Sequence, residues 1–357
     1  MKKNRIILLV FIVSLMVINS CQLRSTPVST QNGKPKVLNV MTHDSFSVSE
    51  SIISTFEQQN NVTINFLLSG DTGAALNRAI LTKNSPQADV FYGTDNTFMS
   101  RALSENIFEP YQSDELININ DDLELDKSYH LLPVDFGDVC INYDKKFFSE
   151  NQLSLPESLT ELVNPEYKGL LVVENPATSS PGLAFLMATI AEFGPERYLD
   201  YWQKLKENGV VVVNDWETAY YTNFSASSGK GNQPLVVSYS TSPAAEVIFS
   251  DQPLTDSPTS SIISDNSCFR QIEFVGILSG THERALAEKF VDFMLSQTFQ
   301  EDLPLQMFVY PANVKATLPK EFLKFITVPQ KPASLDPDLI AKEREVWINA
   351  WTDKVLR

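Results

Sequence analysis

Apolar residues along this chain fall into two rhythms. Short, nearly continuous runs recur at residues 37–40, 62–67, 88–91, 170–173, 210–213 and 235–237. Runs of that length predict strands covered on both faces, because a strand with one wet face alternates apolar and polar positions. Between them the spacing lengthens to the helical period. Ile52, Ile53 and Phe56 fall on one face, as do Leu286, Phe290, Phe293 and Met294. Residues 339–356 predict a closing helix with Ile340, Trp347 and Trp351 along one stripe. Strands alternating with helices make this an α/β chain. Nothing repeats at a fixed period.

The first apolar stretch has another meaning. Lys2, Lys3 and Arg5 precede an apolar run at residues 6–18, and Asn19-Ser20-Cys21 follow. That run is about 13 residues, short of the roughly 18 or more that span a bilayer. A basic start, one apolar block and a small residue before cysteine read as a secretory leader over residues 1–20. The tetrapeptide Ile18-Asn19-Ser20-Cys21 resembles a bacterial lipobox, with Cys21 as the lipidated mature N-terminus. A plain cleaved signal or an uncleaved anchor is the alternative. Either way the body of the protein is expected outside the cytoplasm. Residues 21–36, rich in Ser, Thr, Pro and Gln, read as a flexible tether.

Composition narrows the function classes. With 43% hydrophobic and 20% charged residues over 357 positions, the chain has apolar mass for real cores and length for two domains. The net charge of −16 becomes more negative once the basic leader is lost. Such a surface argues against nucleic acid and suits a cationic small molecule, although acidity also serves solubility. Beyond Cys21 there are only Cys140 and Cys268, which in an oxidising compartment are either paired or two buried thiols. His43, His130 and His282 stand far apart, with no metal-binding spacing around them. No metal and no cofactor are expected.

Polar clusters sit where strands end, the usual place for ligands in open α/β sheets. They are Thr42-His43-Asp44-Ser45-Phe46, Gly70-Asp71-Thr72-Gly73, Gly93-Thr94-Asp95-Asn96, residues 175–182, and Tyr239-Ser240-Thr241-Ser242-Pro243. Asp44, Asp71 and Asp95 equally suit N-caps or Asx-turns. Ser179 and Ser180 before Pro181 make a good helix start, whose free amides also form an anion site. Trp216 and Tyr220 are four apart and share a helical face, in a core or along a cleft. Catalysis has little support: there is no G-x-S-x-G elbow, and Gly229-Lys230-Gly231-Asn232 lacks P-loop spacing.

Several motifs occur in a recognisable order. They include Thr42-His43-Asp44-Ser45-Phe46, Leu76-Asn77-Arg78, Ala88-Asp89-Val90, Asp95-Asn96 and Pro133-Val134-Asp135-Phe136-Gly137. Thr178-Ser179-Ser180-Pro181-Gly182, the Trp-x-x-Ala-Tyr of Trp216 and Tyr220, Ser238-Tyr239-Ser240-Thr241-Ser242-Pro243 and Tyr310-Pro311-Ala312-Asn313-Val314 follow. Over residues 36–357 this ordered set resembles the thiamine-binding component of bacterial ABC importers, in the periplasmic-binding-protein type II superfamily. The resemblance implies two α/β lobes joined by crossing strands, near residues 133–139 and 271–278. Lobe one would be residues 37–134 and 276–357, lobe two residues 135–275, with closure by a hinge. It also implies a monomeric, non-enzymatic receptor, attached to the membrane only through its lipid, that serves a permease and a cytoplasmic ATPase.

Thiamine is a flat aminopyrimidine joined to a permanently cationic thiazolium, with a hydroxyethyl arm that can carry phosphate. The resemblance assigns Asp71, Ser179, Trp216 and Tyr239 to the ligand, with Tyr220 beside them. His43, Asp44, Asp95 and Ser180 complete the expected set. In the first loop His43 stands where the family has a Tyr, and Ala245 stands where it can show another. Tyr220, Tyr221 and Phe46 are the candidates to replace those lost faces. The alternatives are a thiamine precursor, a polyamine, ferric iron or an organophosphonate on the same fold, a secreted enzyme acting through Ser179 or a carboxylate pair, and a purely structural lipoprotein with no cleft.

Overall fold

The computed structural model describes residues 35–226 and 231–357. The leader, Cys21 and the tether as far as residue 34 lie outside the described residues. Pro35–Arg357 forms one compact unit. Its strands are β1 (Lys36–Thr42), β2 (Val62–Leu68), β3 (Val90–Asp95), β4 (Phe108–Glu109), β5 (Leu132–Asp144) and β6 (Leu171–Glu174). They continue with β7 (Val211–Val213), β8 (Leu235–Tyr239), β9 (Thr259–Ile262), β10 (Phe269–Leu278) and β11 (Tyr310–Pro311).

Pairing explains the two-lobed architecture. The main path runs β2-β1-β3-β10-β5-β8-β6-β7. β2, β1 and β3 are parallel to one another, and so are β8, β6 and β7. The antiparallel pair β5 and β10 joins these two groups. β10 reaches β3 through Glu273 to Ile277, and β5 reaches β8 through Val139 to Tyr143. These are the crossing strands that the resemblance implied. The β5–β10 register shifts between Glu273 and Phe274. A shift of that kind bends a strand and re-aims side chains.

Burial follows the apolar patterning. Leu38, Val40, Val90, Phe91, Val172, Val173 and Leu235 to Val237 are inaccessible, as central strands under helices should be. The helix Ser180–Phe193 is buried around its whole circumference from Ser180 to Ile190. It packs on β5, β6, β8 and β10, so its N-terminus has a fixed position beside the crossing strands. The last helix, Pro337–Val355, buries Ile340, Trp347 and Trp351 as the stripe predicted. It packs on helices Met99–Ser104 and Tyr198–Glu207, with Trp351 nearly perpendicular to Trp202 at 5.3 Å.

Several elements differ from the sequence reading. The strand expected at 88–91 begins at Val90 and runs on through Gly93-Thr94-Asp95, so that segment is strand rather than loop. Pairing of Thr94 and Asp95 with β10 extends it. The helix carrying Trp216 and Tyr220 widens into a π-helical turn, Thr218–Asn223. Of the two alternatives for the cysteines, pairing is the one observed: Cys140 in β5 and Cys268 just before β10 form a disulfide with a Cα–Cα separation of 4.3 Å.

Candidate functional site

Strand ends from both lobes surround a cavity of about 280 Å³, near the lower end of small-molecule sites (about 300–1,000 Å³). One side is His43, Asp44, Ser45, Asp71 and Thr72, and Gln306, Met307, Phe308 and Val309 also line the cavity. The other is Ser180, Pro181, Asp215, Trp216, Glu217, Tyr221, Tyr239 and Ser242. Gln271 and Glu273 project from β10 into the floor; two apart, they share one face of the strand.

The aromatic wall is braced from behind. Trp216 stacks on Tyr220 at 5.1 Å and 18°, and its indole N–H donates to Ser238 Oγ at 2.9 Å. Tyr220 is buried and does not reach the cavity; its hydroxyl donates to Glu246 at 2.7 Å. Tyr221, the next residue, lines the cavity instead and meets Trp216 edge-on at 5.4 Å. Tyr239 faces Trp216 at 6.5 Å and 61°. Gly137 in β5 makes room for that ring, since a Cβ there would lie 2.8 Å from it. Of the three aromatic candidates suggested to replace lost faces, Tyr221 is the one in position. Phe46 packs on Phe66 and Tyr92.

The acidic side is built from loop chemistry. Asp71 caps the helix Thr72–Leu81, accepting from the Thr72 amide at 2.7 Å, and also faces the cavity. The capping role and a place on the cavity wall thus fall on the same residue. Burial pushes its pKa up to about 6, against the pull of the Thr72 amide, His43 and Ser179. The Ser179 hydroxyl lies beside Asp71 without closing a full hydrogen bond, and Ser179 itself is buried behind the wall. Ser180 lines the cavity with its Oγ unpartnered at the start of a 14-residue helix. Asp44 accepts from the Gly70 amide at 2.7 Å, tying the first two loops together.

Asp95 lies elsewhere. It is fully buried, accepting from the Thr97 amide and hydroxyl and the Phe98 amide, and does not line the cavity. Burial raises its pKa to about 7. Its role in this structure is a turn cap, because β3 continues past the expected loop.

The sequence reading missed the floor. Glu273 Oε1 lies 3.6 Å from His43 Nε2. The Tyr92 hydroxyl is 2.5 Å from Asp135 Oδ2 and 3.0 Å from Glu273 Oε2. Burial, and then the charge of Glu273, hold Asp135 well above the usual carboxylate range. Burial opposes the charge on His43, but Glu273, Asp71 and Asp44 outweigh it and raise the imidazole pKa above 6.5. An acid two positions from a polar Gln within an apolar strand was the available signal. Asp215 and Glu217, flanking Trp216, also face the cavity. Among the described residues the wall therefore carries five carboxylates and one histidine, with no Lys or Arg.

The arrangement offers flat π surfaces, a concentrated negative potential and hydroxyl or amide donors at one helix start. The family model for bacterial extracellular solute-binding proteins matches residues 85–328. A thiamine-binding periplasmic protein of Brucella suis is 30% identical over 88% of this chain and 90% of its own length. One from Escherichia coli is also 30% identical, over 90% of this chain and 94% of its own. A solved periplasmic thiamin binding protein is 27% identical and superposes with a TM-score of 0.78, covering 90% of this chain and 96% of that one. Members of this family deliver solutes to transporters outside the cytoplasm and are not enzymes. The chain belongs to the bacterial extracellular solute-binding proteins, with the two-lobed type II fold.

Proposed function

We propose that this protein captures thiamine in the inter-lobe cavity and hands it to an ABC permease, held at the membrane by lipid on Cys21. The observation that carries the reading is the convergence of Trp216, Tyr221 and Tyr239 with Asp71 and Glu273 on one cavity. A planar cation gains from each π face about 0.5–2 kcal/mol, more as water is excluded. Asp71, beside the aromatic wall, accepts from the aminopyrimidine or balances the thiazolium. Ser180 and the first amides of its helix receive the hydroxyethyl arm. The lobes, taken as residues 37–134 with 276–357 and residues 135–275, close over the ligand by bending at β5 and β10.

Five carboxylates without a Lys or Arg favour an arm that carries no phosphate, so thiamine itself is the preferred form. The same acids with aromatic walls also fit a polyamine, which is the second reading. Purified protein is unfolded, stripped of ligand, refolded and titrated with thiamine while tryptophan emission is followed. Trp202, Trp347 and Trp351 are buried in the helical layer, so Trp216 is the reporter. A saturable change at micromolar thiamine, resistant to excess spermidine, is expected. No response to thiamine overturns the proposal, and a response to spermidine alone installs the second reading.

A further inference from the structure

His43 stands apart from the rest of the cavity wall. Among the described residues it is the one basic side chain there, opposed by Asp44, Asp71, Asp215, Glu217 and Glu273. Its ring has a fixed seat. Gly93, at φ +102°, lies so close that a Cβ would sit 2.3 Å from Cδ2, and the Tyr92 ring is centred 5.6 Å away. Nε2 has no hydrogen-bond partner within the protein and lies at ion-pair distance, 3.6 Å, from Glu273 Oε1. The groups that act on His43 electrostatically are acids: Asp44 on its own loop, Asp71 from the loop before helix Thr72–Leu81, and Glu273 from β10. Behind Glu273 stand Tyr92 from β3 and Asp135 from β5.

We infer that protonated His43 is the empty site's own counter-ion to Glu273, and that a cationic ligand replaces it by driving the imidazole to its neutral form. This rests on the cationic ligand proposed above. Two positive charges in one desolvated cavity repel, and of the two only the imidazolium can shed its charge. The balance is simple: the ligand keeps its fixed charge, the ring loses one N–H proton, and that proton passes to solvent. The pair thereby sets specificity. A neutral molecule of the same shape cannot displace the proton and leaves the charge pair in place. Below the His43 pKa, proton competition at this one group weakens apparent affinity for the cation by up to tenfold per pH unit.

Affinity against pH does not isolate the pair, because Asp71 also titrates near pH 6 and acts in the same direction. Histidine resonances do isolate it. Purified protein with labelled histidine is titrated by NMR, with the His43 signal assigned by its loss in His43→Gln. The ligand-free midpoint is expected above that of a free histidine, and saturating thiamine lowers it by at least one unit. Glu273→Gln lowers the ligand-free midpoint as well, since burial then acts with less opposition. Thiamine that saturates Trp216 emission yet leaves His43 unmoved overturns the inference. So does a ligand-free midpoint indifferent to both Glu273→Gln and Glu273→Asp. If thiamine fails to saturate at all, the proposed function falls, and the Glu273 comparison still decides the counter-ion pair by itself.

Discussion

Trp216 combines packing with a place on the cavity wall. One face stacks on Tyr220, its N–H is tied to Ser238, and another surface lines the cavity. Trp216→Ala is expected to weaken thiamine binding by about 10-fold or more, in line with a loss near 2 kcal/mol from one desolvated cation–π contact; calorimetric titration measures it. Tyr220→Phe tests the brace. It should lower stability by about 1 kcal/mol through the lost Glu246 hydrogen bond, with a smaller effect on affinity, read by denaturant melts and the same titration. Gly137→Ala forces the Tyr239 ring to move and should reduce affinity without removing a single ligand-facing atom. The i, i+4 spacing of Trp216 and Tyr220 was legible in the sequence. Which of them faced the cavity was not, because the π-helical turn places Tyr221, rather than Tyr220, on its wall.

Among elements, the pair β5 and β10 matters most. Among the described residues it is the part of the main sheet path that links the two parallel groups, and it also supplies Gln271 and Glu273 to the floor. The apolar runs announced most of the parallel strands and the closing helix, since burial on both faces leaves a continuous apolar signature. The crossing strands carry a mixed pattern, with Asp135, Asp138, Gln271 and Glu273 among apolar residues. Periodicity alone did not mark them; the ordered motifs did. One pair closes between the two strands, Arg270 donating twice to Asp138 at 3.0 and 2.9 Å, while Asp135 and Glu273 accept from Tyr92 on β3. The Cys140–Cys268 bond fastens β5 to the entry of β10 across 128 residues of chain. By chain entropy such a loop contributes about 5 kcal/mol. Reduction, or Cys140→Ser with Cys268→Ser, should lower the melting temperature clearly, as scanning calorimetry checks.

For the molecule as a whole, pH acts through the buried acids of the cavity. The folded protein holds Asp71 at about 6, above its ordinary 3.8. A carboxyl raised on folding favours the native state below its unfolded value, and that contribution is lost as pH rises through about 6. The ligand-free protein should therefore lose stability between about pH 4 and pH 7 on account of Asp71. A bound cation offsets the ionised carboxylate, so the rise in melting temperature on adding thiamine should be larger at pH 7.5 than at pH 5. Differential scanning fluorimetry at both pH values reads this. A constant or reversed increment would contradict the role given to Asp71.

In the proposed complex a planar cation lies between Trp216 and Tyr239, beside Asp71. Crystals grown with thiamine test it most directly. Difference density for the two linked rings is expected against those side chains, with the hydroxyethyl arm toward Ser180. Clear density for thiamine at another surface, with this cavity holding only water, would contradict it.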